Sequence, residues 1–169
     1  MSGMLHISQM KKEQLDWIYQ SLQPYDIKKP YEYIERCWHE NLTGERKTFI
    51  AMNGSEFAGW GHIIYQSNYY YFAEHKIPEI QNFDVIPPYR KQGVGTKLMD
   101  EMERVVFEKY PILGIGFGLY KEYGPAQTMY IKRGYIPDGN GISYDGIACE
   151  KGERVPIDDS LALYLIKER

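Results

Sequence analysis

Pro87-Pro88-Tyr89-Arg90-Lys91-Gln92-Gly93-Val94-Gly95-Thr96 is the most informative segment of this chain. It follows an apolar extended run, Phe83-Asp84-Val85-Ile86, and leads into a helix that we expect to begin near Gly93. Glycines let the backbone approach an anion closely, and the first N–H groups of a helix have no intrahelical partner. The positive helix end and the two basic side chains add to the attraction. The stretch therefore predicts a phosphate cradle.

Two common phosphate motifs do not fit this cradle. The dinucleotide fingerprint needs a third glycine where the sequence has Leu98, and the P-loop needs Gly-Lys-Ser/Thr where Gly95 is followed by Thr96 and Lys97. The pattern that does match is Arg/Gln-x-x-Gly-x-Gly/Ala over residues 90–95. It resembles the acetyl-CoA pyrophosphate loop of the GNAT superfamily of N-acetyltransferases. Because this pattern is only six residues long, an ordinary surface helix that starts at a glycine and has basic neighbours is the alternative interpretation.

Size and composition indicate one domain, residues 1–169, because 169 residues with 43% hydrophobic and 25% charged side chains are typical of a soluble globular protein. No apolar run approaches the roughly 18 residues of a membrane span, and the N-terminus lacks the pattern of a secretion signal. The net charge of −3 argues against nucleic-acid binding. We expect a cytoplasmic protein without a nucleic-acid or membrane partner.

The two cysteines, Cys37 and Cys149, are too few and too far apart for a disulfide framework or a zinc site. We therefore expect no metal, and we expect Cys37 in a helix core. A thiol nucleophile is the weaker alternative, since no motif surrounds either residue. The 16 tyrosines have two interpretations: they pack as ordinary structural residues, or several of their rings surround an amine substrate through cation–π contacts.

Apolar periodicity predicts the element order βααβββαβαββ, which defines the fold class as α+β. Strands are predicted at about 4–9, 48–52, 57–65, 77–86, 112–119 and 161–166, with a seventh before the turn at Asp145-Gly146. Helices are predicted at about 11–22, from Pro30 to Gly44, from Gly93 to before Pro111, and at 125–133. Residues 66–76 are predicted to be a loop. In the strand at 112–119, three glycines share one face, so that either a packed helix or a cofactor arm must approach it closely.

This order resembles the GNAT fold, a mixed, mostly antiparallel sheet with helices on both faces, over nearly the whole chain. A second motif supports the resemblance: residues 126–135, from Ala126 to Tyr135, are similar to the family's Ala-x-x-Leu-Tyr-x-x-x-Gly-Phe element. Many members have an asparagine three residues before that alanine, which contacts the cofactor. This sequence has Tyr123 there, so the resemblance does not extend to that contact.

The resemblance implies two catalytic residues. Tyr130 stands where the family places the tyrosine that protonates the leaving thiolate. Glu79 precedes the first cradle glycine by 14 residues, the interval of the catalytic glutamate in histone acetyltransferases of the superfamily. Apolar neighbours of Glu79 favour a raised pKa, as a general base requires. A water relay is the alternative, and the weaker candidates are His62, His75, Glu74 and Asp84.

The resemblance also implies how the cofactor is held. The main chain of Phe83-Asp84-Val85 is expected to hydrogen-bond the pantetheine, and a bulge there would free an N–H for the thioester oxygen. The cofactor-binding residues expected are Phe83, Asp84, Val85, Arg90, Lys91, Gln92, Gly93, Val94, Gly95, Thr96 and Ala126.

We therefore expect an enzyme that transfers the acetyl group of acetyl-CoA to a primary amine by direct attack. The acceptor is a small molecule or a peptide, which the sequence does not identify. A sensor of CoA or acetyl-CoA with the same fold, and a nucleotide-binding protein that uses the same turn for ATP, are the alternatives. Homodimers are common in the superfamily, and the sequence leaves the oligomeric state open.

Overall fold

The computed structural model of the chain describes residues 3–169. These residues group into two compact units, the first holding residues 3–65 and Gln81–Val105, the second Gln66–Ile80 and Val106–Arg169. The helices are α1 (Leu15–Leu22), α2 (Tyr31–Thr43), α3 (Tyr70–His75), α4 (Val94–Phe107) and α5 (Gly124–Lys132). The strands are β1 (Leu5–Gln9), β2 (Arg46–Asn53), β3 (Glu56–Ile64), β4 (Glu79–Val85), β5 (Ile112–Gly118), β6 (Ile136–Tyr144), β7 (Ile147–Ala148) and β8 (Leu161–Glu168).

The strands are hydrogen-bonded in the order β1-β2-β3-β4-β5-β8-β6-β7. The ladders β1/β2, β2/β3, β5/β8, β6/β8 and β6/β7 are antiparallel. The ladder between β4 and β5 is parallel and pairs Glu79 with Gly114 and Ile80 with Ile115. The prediction of a mixed, mostly antiparallel sheet in an α+β fold is confirmed.

In the first unit, helices lie against both faces of the strands. Helices α1 and α2 bury apolar side chains such as Ile18 and Cys37 in one cluster with Trp60 of β3. Gly61, which directly follows Trp60, points to the opposite face of the sheet. A Cβ added at Gly61 would lie 2.8 Å from the Met102 methyl group, so α4 covers that face. Both the placement of helices on two faces and the buried position of Cys37 were predicted, and both are confirmed here.

Helix α3 lies inside the segment predicted to be a loop, so that prediction is wrong for Tyr70–His75. A six-residue, tyrosine-rich helix has little intrinsic stability, and tertiary contacts must supply it. Phe72 is fully buried in the second unit, and the Ser67 hydroxyl accepts a hydrogen bond from the backbone N–H of Tyr69 at 3.0 Å. Neither contact has a periodic signature in the sequence.

The glycine face of β5 is covered by aromatic rings of the second unit itself. A Cβ added at any of the three glycines would lie under 3.0 Å from a ring, which no real side chain tolerates. The pairs are Gly114 with Phe72, Gly116 with Tyr164 and Gly118 with Tyr123. The helix alternative is therefore correct at Gly114, because Phe72 belongs to α3, while Gly116 and Gly118 are covered by rings from β8 and from the turn before α5.

The tyrosine-rich segments are packed in the same way. The Tyr69 ring stacks on Tyr164 with a centroid distance of 3.7 Å, and its hydroxyl donates to Asp138 at 2.6 Å. In the first unit, four tyrosines of the α1–α2 region pack against the apolar cluster, namely Tyr19, Tyr25, Tyr31 and Tyr33. Ordinary packing therefore explains most of these residues. Within residues 3–169, no helix has the length and apolar character needed to cross a membrane.

Candidate active site

The predicted phosphate cradle is formed by the segment between β4 and α4 in the first unit. Lys91 and Gly93 both have left-handed backbone conformations, with φ of +59° and +82°. The N–H of Lys97 donates to the Gly93 carbonyl at 3.0 Å, which closes the first turn of α4. The N–H groups of residues 94–96 therefore precede the first intrahelical donor and have no acceptor within the helix. They converge at the positive end of a 14-residue helix, as anion binding requires.

Two side chains of the cradle brace its backbone. The guanidinium Nε of Arg90 donates to the Val85 carbonyl at 2.9 Å, and the Gln92 amide donates to the Pro88 carbonyl at 2.7 Å. These bonds tie the loop to the end of β4 and to the turn that follows it. Gln92 thus shapes the loop through its side chain, while Arg90 and the exposed Lys91 keep two cations beside the start of α4.

Strand β4 departs from extended geometry just before the residues expected to bind pantetheine. Asn82 has φ of +49°, a left-handed conformation in the middle of the strand. Its side-chain amide donates to the Tyr33 hydroxyl, and its amide oxygen accepts from the Lys29 ammonium at 3.4 Å. A left-handed residue interrupts the regular ladder as a bulge does. Asn82, directly before Phe83, is therefore the left-handed residue nearest to the bulge expected at residues 83–85.

The side chain of Asp84 is engaged by two donors of the first unit. Its Oδ2 accepts from the indole N–H of Trp60 at 2.9 Å and lies 3.9 Å from the Lys29 ammonium. An added Cβ at Gly59 of β3 would lie 2.5 Å from the Asp84 carbonyl oxygen, so the two backbones are in close contact. These contacts give the Asp84 carboxylate a structural role.

His62, another weaker candidate for the base, is fully buried in the first unit. Its Nδ1 lies 2.8 Å from the Thr48 hydroxyl, which accepts from the Asn41 amide, also at 2.8 Å. Burial, together with the charges of Arg46 and Lys29, lowers the pKa of His62 well below its usual value. His62 is therefore a neutral core residue that an amine cannot reach.

Glu79 lies at the start of β4, in the second unit, and only 4% of its surface is exposed. Its Oε2 accepts a hydrogen bond from the Ser67 hydroxyl at 2.7 Å. The same Ser67 oxygen accepts the N–H of Tyr69 at 3.0 Å, which fixes the hydroxyl in front of the carboxylate. The burial that the apolar neighbours of Glu79 predicted is present. Ser67 was not foreseen, because a serine twelve residues before a glutamate is no sequence signal.

Tyr130 lies on α5 in the second unit and is 6% exposed. Its ring packs beside Phe117 and Tyr135, with centroid distances of 6.5 and 6.2 Å. The Gln127 amide donates to the Gly118 carbonyl at 2.8 Å and ties α5 to the end of β5. Ala126, one helical turn before Tyr130, is partly exposed. Gln127 was not foreseen, because nothing in the sequence links it to Gly118, nine positions earlier.

Tyr123, which replaces the family's asparagine, is occupied within the second unit. Its ring covers Gly118, and its hydroxyl donates to Asp159 at 3.0 Å. The side chain therefore has a packing role that an asparagine would not fill.

The expected site residues fall into two groups. The first unit holds residues 82–96, with Phe83, Val85, Val94, Gly95 and Thr96 around the bulge and the cradle, and the second unit holds Glu79, Ala126 and Tyr130. Across the described part of the chain, no group of three or more His, Cys, Asp and Glu side chains is arranged to hold a metal ion.

The mixed sheet, the glycine-bearing turn that leads into α4 and the tyrosine of α5 are the features that the sequence resemblance led us to expect of an acyltransferase. The family described as acetyltransferase (GNAT) matches residues 12–135, which include both sequence motifs up to Tyr135. The chain therefore belongs to the GNAT acetyltransferase family and is an acyltransferase enzyme. Among curated proteins, none matches the sequence significantly.

Solved structures with similar folds include three acetyltransferases. The ribosomal-protein-S18-alanine N-acetyltransferase of Escherichia coli has 14% identity and a TM-score of 0.68, over 98% of this chain and 94% of that one. A GNAT family acetyltransferase of Elizabethkingia anophelis with acetyl-CoA bound has 18% identity and a TM-score of 0.62, over 98% of each chain. Spermidine N-acetyltransferase of Vibrio cholerae, in complex with CoA and spermine, has 12% identity and a TM-score of 0.66, over 97% of this chain and 95% of that one. Likeness at this identity establishes the fold.

Proposed function

We propose that the protein transfers the acetyl group of acetyl-CoA to a primary amine. The observation that carries the proposal is the cradle, in which the left-handed Gly93 leads into the unpaired N–H groups of residues 94–96 beside Arg90 and Lys91. This arrangement favours the diphosphate of CoA. Similar structures that hold acetyl-CoA, or CoA with spermine, support the same co-substrate.

The main chain after Asn82 is the proposed partner of the pantetheine and of the reacting carbonyl. The left-handed Asn82 releases the strand from regular pairing, which supports a role for Phe83, Asp84 and Val85 as main-chain donors and acceptors. An N–H in this segment would stabilise the charge that develops on the thioester oxygen. Ala126, at the start of α5, is the proposed contact in the second unit.

The acceptor amine must lose a proton before it attacks. With a pKa near 10.4, a primary amine is neutral in only about one molecule in 2,500 at pH 7. Glu79 is the proposed base, either directly or through a water, and its burial and its fixed Ser67 hydroxyl support this role. The amine nitrogen forms the new bond to the acetyl carbon, and the proton passes to Glu79.

The leaving group needs a proton in return. As the carbon–sulfur bond breaks, the CoA thiolate takes a proton from the phenol of Tyr130, which acts as the general acid. The nitrogen loses its second proton as the tetrahedral intermediate collapses, and this proton restores the Tyr130 phenol. The products are an N-acetyl amine and CoA, with one proton left on Glu79. Cys37 is buried, and burial raises the pKa of its thiol, which disfavours an acetyl-cysteine intermediate and supports direct attack.

A direct test is to incubate the purified protein with acetyl-CoA and a panel of amines that includes polyamines, amino acids and peptides with free N-termini. We expect CoA thiol release with at least one class of amine, together with the acetylated product by mass spectrometry. Binding of acetyl-CoA without release for any amine would contradict catalysis and favour a sensor. Absence of acetyl-CoA binding in calorimetry would contradict the whole proposal.

Replacement of Tyr130 by Phe tests the proton donor. The change removes only the hydroxyl, so kcat should fall by about 100-fold or more while the affinity for acetyl-CoA stays the same. Tyr135→Phe is the matched control, since Tyr135 is also buried and lies beside Tyr130. Equal turnover of the two variants would remove Tyr130 from the mechanism.

Replacement of Glu79 by Gln tests the base. The amide keeps an oxygen that accepts from Ser67 but cannot take a proton, so the rate should fall by about 100-fold near neutral pH. The loss should shrink as the pH rises, because the free amine becomes more abundant. Glu150→Gln, at an exposed carboxylate of the second unit that is not a candidate base, is the control. An unaltered pH–rate profile would indicate a water relay.

A further inference from the structure

A groove in the first unit has no role in the proposed reaction. It lies where α1, the turn between β2 and β3, and the segment after β4 meet, and its volume is about 450 Å³. Sites for small molecules commonly enclose about 300–1,000 Å³. The side chains that define its chemistry are Trp17, Tyr25, Glu56, Phe57, Pro88 and Tyr89.

The walls of this groove are mainly aromatic. Trp17 and Phe57 meet edge to face, with a centroid distance of 5.6 Å and an interplanar angle of 81°. Trp17, Tyr25 and Tyr89 are all partly exposed, so their rings are accessible from solvent. The faces of indole and phenol rings carry partial negative charge and attract cations.

The groove also contains one carboxylate and no compensating cation. Glu56 is exposed, and its Oε2 accepts a hydrogen bond from the Tyr89 hydroxyl, which directs the carboxylate into the groove mouth. Among the described residues that line the groove, none is Lys, Arg or His. The ring faces and the carboxylate therefore favour a positively charged occupant.

We infer that this groove binds a small organic ammonium ion. A quaternary or protonated amine fits such a site because its methyl or methylene groups pack on the rings while its charge lies near Glu56. Each cation–π contact strengthens binding by about 2- to 30-fold over a neutral group of the same shape. The inference is independent of acetyl transfer, since a quaternary ammonium has no N–H to acetylate.

The test is a calorimetric titration with choline and with 3,3-dimethyl-1-butanol, its uncharged isostere. We expect saturable 1:1 binding of choline and at least about fivefold weaker binding of the alcohol. Glu56→Gln, whose amide oxygen still accepts from Tyr89, should weaken choline binding by about fivefold. Glu13→Gln, an exposed carboxylate outside the groove, should leave it unchanged. No saturable heat with choline, equal binding of the two ligands, or equal affinities of the two variants would overturn the inference.

A second readout locates the bound cation. Choline should change the tryptophan fluorescence of the wild type and of Trp38→Phe, but not that of Trp17→Phe, which keeps an apolar ring against Phe57. Thermal unfolding of each variant checks that it is folded before titration. A fluorescence response that persists in Trp17→Phe would place the ligand elsewhere and overturn the inference.

Discussion

The glycines of the two units meet opposite requirements. Gly93, in the cradle of the first unit, has φ of +82°, and no heavy atom of the described chain lies within 4 Å of the place where a Cβ would stand. Gly114 and Gly116, in β5 of the second unit, are extended, and aromatic rings fill that place. A glycine in a sequence therefore signals either a left-handed backbone or a lack of space, and neighbouring residues in the chain do not always reveal which.

This difference separates a binding feature from a packing feature. Open space beside a left-handed residue at a helix start lets an anion reach the backbone N–H groups. Space already filled by Phe72 or Tyr164 leaves no room for a ligand and instead fixes the register of α3 and β8 on β5. Substitutions of the cradle glycine should therefore lower the affinity for the ligand, whereas substitutions of the β5 glycines should lower the stability of the fold.

The largest expected effect is that of Gly114→Ala. The new methyl group would overlap the fully buried Phe72 ring, and such overpacking costs about 3 kcal/mol of unfolding free energy. Urea denaturation measures this loss.

A double-mutant cycle shows whether the overlap is the cause. Phe72→Leu removes the ring atoms nearest to the methyl group, so the double variant should be more stable than the sum of the two single losses by at least about 1 kcal/mol. Additive losses would show that Phe72 is not what excludes a side chain at Gly114.

A smaller effect on stability, but a specific effect on binding, is expected for Gly93→Ala. A left-handed alanine costs about 1–2 kcal/mol of unfolding free energy, and the methyl group would obstruct the anion. The affinity for acetyl-CoA, measured by calorimetry, should fall by about tenfold.

Gly44→Ala is the matched control for this prediction. Gly44 ends α2 with φ of +84°, and it too has open space at the Cβ position within the part of the chain that the structure describes. The two variants should lose similar stability, whereas only Gly93→Ala should lose affinity. Equal affinities would mean that the cradle does not bind the cofactor.

The same comparison explains what could be predicted from the sequence. The cradle, α2 and the end of α4 rest on signals between near neighbours, such as Pro30 at the start of α2 and the left-handed Gly44 at its end. Glu79 and Tyr130 were singled out through a family resemblance, and the structure adds their burial.

Features that depend on distant residues were missed. Helix α3 is stabilised where Phe72 meets Gly114, 42 positions further along the chain, and local propensity does not favour it. The acceptors for the side chains of Ser67 and Gln127 likewise lie 12 and 9 positions away in the chain, beyond the reach of local sequence patterns. The choice between a helix and a cofactor arm over β5 was only partly right, because one covering ring belongs to the helix α3 and the other two come from β8 and the turn before α5.

The smallest effect concerns titration and again separates the two units. In the second unit, burial raises the pKa of Tyr69 and Tyr164, so these residues weaken the fold only at pH values above about 10, where the unfolded phenols ionise. In the first unit, burial lowers the pKa of His62, so the unfolded chain binds a proton below about pH 6.5 that the folded chain does not. The stability that neutral His62 permits is present above that pH and is lost as the pH falls.

Unfolding free energy should decrease by up to about 1.4 kcal/mol per pH unit between pH 6 and 5 through this residue. His62→Gln should flatten this slope and His75→Gln, an exposed control, should not. NMR of the imidazoles gives an independent readout, in which a His62 resonance that titrates near pH 6.5 would contradict the neutral, buried state.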